Sequence, residues 1–214
     1  MSYPPEPWYL GGSLLASAFL VPAADLPSCL LASVPDNARP FRVGRRVLIG
    51  VAFANYTPGG VLSYDELLVA VPSLQRGRLR ITIPQIWVDS AESMEGGRTL
   101  WGIPKELATF ERSETPEAAT TSMTVSTTEA VSVMAAFGST IVPGVRQLRL
   151  PIVQRTASGS ILSHNRVAGR ISSLSAQWSF DGRGELGYLA GRRPFTSFAV
   201  REASIVFGMK VERE

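Results

Sequence analysis

The chain has 214 residues, 45% of them hydrophobic, with 21 basic and 18 acidic side chains and a formal net charge of +3. That composition supports one folded domain over residues 1–214. The scattered arginines lack interleaved aromatics, which excludes a nucleic-acid footprint, and no apolar run is long enough to span a membrane as a helix.

Three prolines mark Met1 to Pro7 as an irregular arm. Tyr9 to Val21 reads as a strand bent at Gly11-Gly12. Leu26, Leu30, Leu31 and Val34 recur at helical spacing, so Pro22 to Val34 is expected to be a short amphipathic helix, and Pro35 to Pro40 a loop. The single cysteine, Cys29, rules out an internal disulfide; its apolar neighbours predict a core position. No basic residue precedes Arg39, so Leu14 to Val21 lacks the charged start of a signal peptide, and a cytoplasmic location is expected.

Val47 to Ala54 is a strongly apolar strand, followed by a turn at Thr57-Pro58-Gly59-Gly60. Tyr64 to Val71 is the next strand. Its period of two puts Tyr64 and Glu66 on one face, with Asp65 and Leu67 opposite. After a turn at Arg76-Gly77, Leu79, Ile81 and Ile83 alternate with Arg78, Arg80 and Thr82 in a half-buried strand. Asp89-Ser90 opens a helix, and Gly96-Gly97 permits an early stop. Lys105 to Arg112 returns as a strand. A hairpin around Thr128-Glu129 joins Met123–Thr127 to Ala130–Ala136, and further strands are expected at Gln147–Thr156, Ser160–Ser163, Ile171–Phe180 and Phe198–Val211. Many short strands and few helices predict a mainly β (α+β) fold, an antiparallel β-barrel or sandwich.

Lys105 stands out chemically. Only it and Lys210 are lysines; the other 19 basic residues are arginine. An arginine cannot serve as an amine nucleophile, whereas a buried lysine can lose its proton and attack a carbonyl to form a Schiff base. Trp101, Ile103, Pro104 and Leu107 give Lys105 an apolar setting.

Gly97-Arg98-x-Leu100 followed by Pro104-Lys105, with Asp89 upstream and Tyr64-Asp65-Glu66 before both, resembles the acetoacetate decarboxylase family from about Arg46 to Phe110. That family is itself the usual example of an amine activated by desolvation or by a cationic neighbour. The resemblance implies a β-rich, barrel-like fold, a homo-oligomer, no cofactor and a small carbonyl acid as partner. It implies a lyase in which Lys105 forms the imine and Glu66 moves protons, with Tyr64, Arg98, Val51 and Trp101 as pocket residues. Glu106 stands where the decarboxylases have a second lysine, as a second acid/base or an outward charge. Counting along the family pattern also puts Ser13 in place of an arginine, and Val51 in place of a glutamate. Those departures make acetoacetate doubtful as substrate and favour a more apolar carbonyl compound. Decarboxylation of a β-keto or 2-oxo acid is the first expectation. A Schiff-base aldolase-dehydratase on 2-oxo acids and a non-catalytic β-barrel binding protein are the alternatives.

Other motifs carry less. Gly182-Arg183-Gly184-Glu185-Leu186-Gly187 spells a dinucleotide fingerprint, but no βαβ unit surrounds it and a turn is expected. His164, the single histidine, is expected in a loop. With one His and one Cys the chain lacks the ligands of a zinc site, so no metal is expected. Arg192-Arg193 reads as a solvated turn.

Overall fold

Period-two alternation of apolar side chains dominates the chain, and most of it is strand. The computed structural model describes residues 3–115, 120–126 and 130–213. In chain order it contains β1 (Trp8–Pro22), a 3-10 turn (Ala23–Asp25), α1 (Ser28–Ala32), β2 (Ala38–Pro40), β3 (Arg42–Val43), β4 (Arg46–Thr57), β5 (Tyr64–Gln75) and β6 (Arg78–Val88). There follow α2 (Ala91–Trp101), β7 (Lys105–Leu107), β8 (Thr109–Thr115), β9 (Thr120–Ser126), β10 (Ala130–Thr156), β11 (Gly159–Phe180) and β12 (Thr196–Arg213). No helix among the described residues is long and apolar enough to cross a membrane.

The strands join in the order β7-β6-β5-β4-β1-β12-β11-β10-β9-β8, and a further pairing of β10 with β6 turns part of that path into a ring. The expected mainly β, barrel-like architecture is therefore present. It is a mixed sheet rather than an antiparallel one, because β7 and β10 each run parallel to β6.

The ring closes on a thin contact. One residue pair, Ile152 and Ile81, links β10 to β6. Beside it the buried Gln154 side chain stands in for a strand: its amide donates to the Ile83 carbonyl at 2.9 Å and accepts from the Ile83 N–H at 3.4 Å. Gln154→Leu should strand both backbone groups and lower stability by about 1–3 kcal/mol, read as a lower urea midpoint.

The β4–β5 sheet is a wall between two apolar clusters. Val47, Ile49, Val51 and Phe53 of β4, with Leu67, Val69 and Val71 of β5, face the first. Ala54, Tyr56 and Tyr64 face the second, together with Trp8, Ile86, Trp101 and Ile103. β10 and β11 are long enough to serve both. Val131, Val133 and Leu174 cover the first cluster, while Ile152 and Val167 cover the second.

Several local expectations change. Each pair of fragments expected within 130–156 and 159–180 is one continuous strand, because long-range pairing carries the ladder through locally weak sequence. The turn at 127–129 lies outside the described residues, though β9 and β10 pair antiparallel across it. The helix expected from Pro22 to Val34 is broken into a 3-10 turn and the five-residue α1, which buries Leu30 alone. Cys29 on α1 is exposed rather than in the core. Ala38–Pro40, expected in a loop, adds a short strand beside β5. Lys105 to Arg112 is divided at Ala108, whose N–H bonds back to Val88. His164 lies within β11, paired with Pro151 and Lys210, not in a loop.

Candidate active site

The second cluster encloses a cavity of about 260 Å³. Its polar end is built from three elements: β5, the start of α2, and β7.

Helix α2 begins as the sequence predicts. Ser90 is the N-cap, and its hydroxyl accepts the Ser93 N–H at 3.1 Å. The helix does not stop at Gly96-Gly97. It runs on to Trp101 and ends at Gly102 in the left-handed conformation, φ 65°. The two glycines serve close packing instead. A Cβ on Gly96 would sit 2.5 Å from the Trp8 ring, and one on Gly97 would sit 2.7 and 2.8 Å from Cδ and Cε of Lys105. The helix backbone thus lies against the lysine stem.

From Gly102 the chain turns through Ile103-Pro104 into β7, beside β6, with Lys105 opposite Ile86. Strand alternation sends Lys105 inward, where it is 4% exposed, and leaves Glu106 exposed on the other face. On β5 the same alternation turns Tyr64 and Glu66 inward together, with Glu66 also 4% exposed. Outside the cavity the start of β5 is fixed by Asp89, whose carboxylate accepts the Asp65 N–H at 2.8 Å, while Asn55 donates to Asp65 at 2.7 Å. Burial first of all holds the Asp89 carboxyl above its ordinary pKa.

Lys105 Nζ has three polar partners: it donates to Glu66 Oε2 at 2.7 Å, to Ser93 Oγ at 2.9 Å and to Tyr64 Oη at 3.3 Å. The other Glu66 oxygen accepts the Tyr56 hydroxyl at 3.1 Å. Three partners match the three donors of an ammonium. The electrostatics agree. Burial acts against the lysine charge, but Glu66 and Tyr64 outweigh it and hold the Lys105 pKa above its ordinary value. Desolvation alone would lower it, and the neighbouring Glu66 carboxylate reverses that direction. Burial and then Glu66 raise Tyr56 well above its ordinary value, and raise Tyr64 to about 12.

These shifts have a stability consequence. An unfolded chain releases the Tyr64 and Lys105 protons near pH 10, before the folded chain does. Stability is complete below that pH and declines as the pH rises toward 12. Tyr64 alone accounts for about 3 kcal/mol of the decline, from a shift of about two units. Thermal melts from pH 9 to 11.5 should display the fall, and Tyr64→Phe should make it shallower by the share that Tyr64 contributes.

The remaining sequence candidates divide. Trp101 is buried on the cavity wall, its indole N–H donating to Glu6 at 3.0 Å. Val51 borders the wall, but its side chain belongs to the first cluster, as does that of Phe53. On β4 the face shared with Glu66 is Ala54, which pairs with it, and Ala52 and Gly50 further along. Arg98 and Glu106 are exposed and not brought into the cavity. Ser13 is not on the wall, whereas Leu14 and Ala16 are. His164 lies outside, 3.3 Å from Glu212. The glycine motif at 182–187 forms turns between β11 and β12, with Gly187 N–H bonding to Gly184. Sequence reasoning missed Tyr56 and Ser93. Tyr56 was legible in principle, since it shares the period-two face of Ala54; nothing local marked Ser93.

The described residues contain no group of His, Cys, Asp and Glu able to hold a metal. A carboxylate beside a buried amine can pass a proton without changing the net charge of the cavity.

The family model for acetoacetate decarboxylase matches residues 31–172. No curated protein matches the chain in sequence. Among solved structures, the enduracididine biosynthesis enzyme MppR complexed with pyruvate is similar, with a TM-score of 0.71 and 19% identity over 99% of this chain and 91% of that one. Acetoacetate decarboxylase from Legionella pneumophila gives 0.68 and 14%, covering 100% and 90%. An acetoacetate decarboxylase-like enzyme from Sphingomonas wittichii gives 0.60 and 14%, covering 94% and 89%. At such identities the likeness is one of fold.

Proposed function

Because this chain belongs to the acetoacetate decarboxylase family, we propose that it is a Schiff-base lyase in which Lys105 forms an imine with a carbonyl substrate. One observation carries the reading. The buried Lys105 amine sits at the polar end of an otherwise apolar cavity, 2.7 Å from a buried carboxylate. The MppR structures with pyruvate, and with a condensation product of pyruvate and imidazole 4-carboxaldehyde, support small carbonyl compounds as ligands of this fold.

The resting pair is ammonium and carboxylate. Entry of a carbonyl compound displaces the Lys105 hydrogen bonds, and Glu66 takes the proton across 2.7 Å. The neutral amine then adds to the carbonyl carbon. Loss of water gives an iminium, whose positive charge again faces the Glu66 carboxylate. The iminium draws electrons from a bond one carbon away, and Glu66 supplies or removes the protons that the step needs. Tyr64 hydrogen-bonds the nitrogen, and Tyr56 holds the far oxygen of Glu66, so the carboxylate keeps one orientation. No second lysine assists the amine, since Glu106 occupies that position and points outward. Internal transfer to Glu66 replaces that assistance.

Borohydride reduction in the presence of a ketone, followed by peptide mapping, tests the reading. The adduct is expected on Lys105 and not on Lys210, the other lysine of the chain. Binding without any adduct would instead indicate a β-barrel that holds small molecules and does no chemistry on them.

A further inference from the structure

The charge inventory of the cavity bears on the substrate. Among the described wall residues the ionised groups are Lys105 and Glu66, and they already neutralise each other. Among the described residues no arginine or histidine lines the cavity. The other polar wall side chains are committed to protein partners. Asn165 donates to the Leu150 carbonyl at 2.9 Å and to Ser163, and accepts the Gly208 N–H at 2.7 Å. Ser17 bonds Ser197 at 2.7 Å and accepts from Trp178 at 2.8 Å. Leu14, Leu68, Ile81, Leu148, Leu150 and Phe198 supply much of the remaining wall. Arg98, within the lysine motif, is exposed, and the Arg213 guanidinium bonds the Leu100 carbonyl outside the wall.

A substrate carboxylate would therefore be a third buried charge with no counter-ion. Iminium formation does not change this, because the iminium charge is already opposed by Glu66. Burying an unpaired charge in an apolar site is strongly unfavourable. From this we infer that the site takes a neutral ketone or aldehyde with an apolar chain, not a keto acid. The inference rests on the imine-forming role of Lys105. The cavity volume is about 260 Å³. A medium-length alkyl ketone fits that space.

With no carboxylate to expel, a bond that such an iminium can break is the Cα–Cβ bond of a β-hydroxy ketone. The Lys105 nitrogen bonds to the carbonyl carbon, and the carbonyl oxygen leaves as water, taking the proton Glu66 holds and one from the amine. The β-hydroxyl proton passes to the regenerated Glu66 carboxylate. The Cα–Cβ pair becomes the enamine, and an apolar aldehyde departs. Glu66 protonates the enamine carbon, and one water releases the shorter ketone and restores the amine. The same steps in reverse form an aldol.

Three probes on the intact protein decide the question: 2-octanone, 2-oxooctanoate and methyl 2-oxooctanoate, each reduced with borohydride and mapped by peptide mass. The ester is larger than the acid, so size cannot explain its preference; 2-octanone has a less activated carbonyl than the acid, so reactivity cannot explain its own. The expected result is an adduct on Lys105 with the ketone and the ester, at probe concentrations about 100-fold or more below those the acid requires. An acid that labels Lys105 as readily as its ester would overturn the neutral-substrate inference and leave the imine reading standing. No adduct on Lys105 with any probe would overturn both.

Discussion

Lys105→Met is expected to abolish the borohydride adduct and to lower turnover by at least about 10⁴-fold, the scale seen when a covalent nucleophile is removed. Methionine suits the space because its unbranched stem can follow the lysine stem past Gly97, where a Cβ would already collide with Lys105. The fold should survive. Glu66 keeps the Tyr56 hydrogen bond, so the far-UV spectrum should be unchanged, while the loss of its buried partner should lower the melting temperature. An adduct that persists in this variant would have to sit on Lys210 or on the terminal amine. Lys105 would then be a structural lysine.

Glu66→Gln should separate proton transfer from imine formation. The amide keeps the size of the side chain and an oxygen able to accept from Lys105, but removes the negative charge. Burial, the largest influence on Lys105, acts against its charge and is outweighed with the help of Glu66. Without that carboxylate the Lys105 pKa falls, so neutral amine is present at lower pH. The pH at which adduct formation is half complete should move to the acid side. Turnover should fall by about 10²–10⁴-fold, because no group remains to accept and return the proton. Labelling against pH and turnover at one pH, measured on the same preparation, test the two effects. An unmoved acid limb would mean that Glu66 is not what keeps the amine charged.

Both experiments depend on a pair of residues 39 positions apart in the chain, and the two halves were not equally legible. The face shared by Tyr64 and Glu66 follows from the period of a strand, which needs no tertiary information. So does the opposite orientation of Lys105 and Glu106 once Lys105 is in a strand. Ser90 as a helix cap is equally local. Gly96-Gly97 was the opposite case. Read locally, two glycines weaken a helix; in the fold they let it lie against Trp8 and the lysine stem, and tertiary packing outweighs propensity. Cys29 is a similar reversal. Its apolar neighbours belong to a helix of five residues, too short to turn more than Leu30 into the core.

The departures from the family pattern show the same division. Val51 stands at a position read along the chain as a pocket residue, yet strand alternation turns it into the first cluster and leaves Ala52 and Ala54 on the face shared with Glu66. Arg98 sits in the motif but on the exposed side of α2. Motif spacing locates a residue along the chain and says nothing about the side on which its side chain emerges.

The amino acids alone determined the mainly β architecture, the singular lysine, and the tyrosine and glutamate that share a strand face, because these follow from residue chemistry and from backbone periods of a few residues. Only the closed ring of strands decided that Ser93, Tyr64 and Glu66 converge on Lys105, that Glu66 and Tyr64 favour its charged form, and that among the described residues no further cation lines the cavity. Charge balance in a buried site depends on distances between segments remote in sequence, and those distances exist only once the sheet has closed.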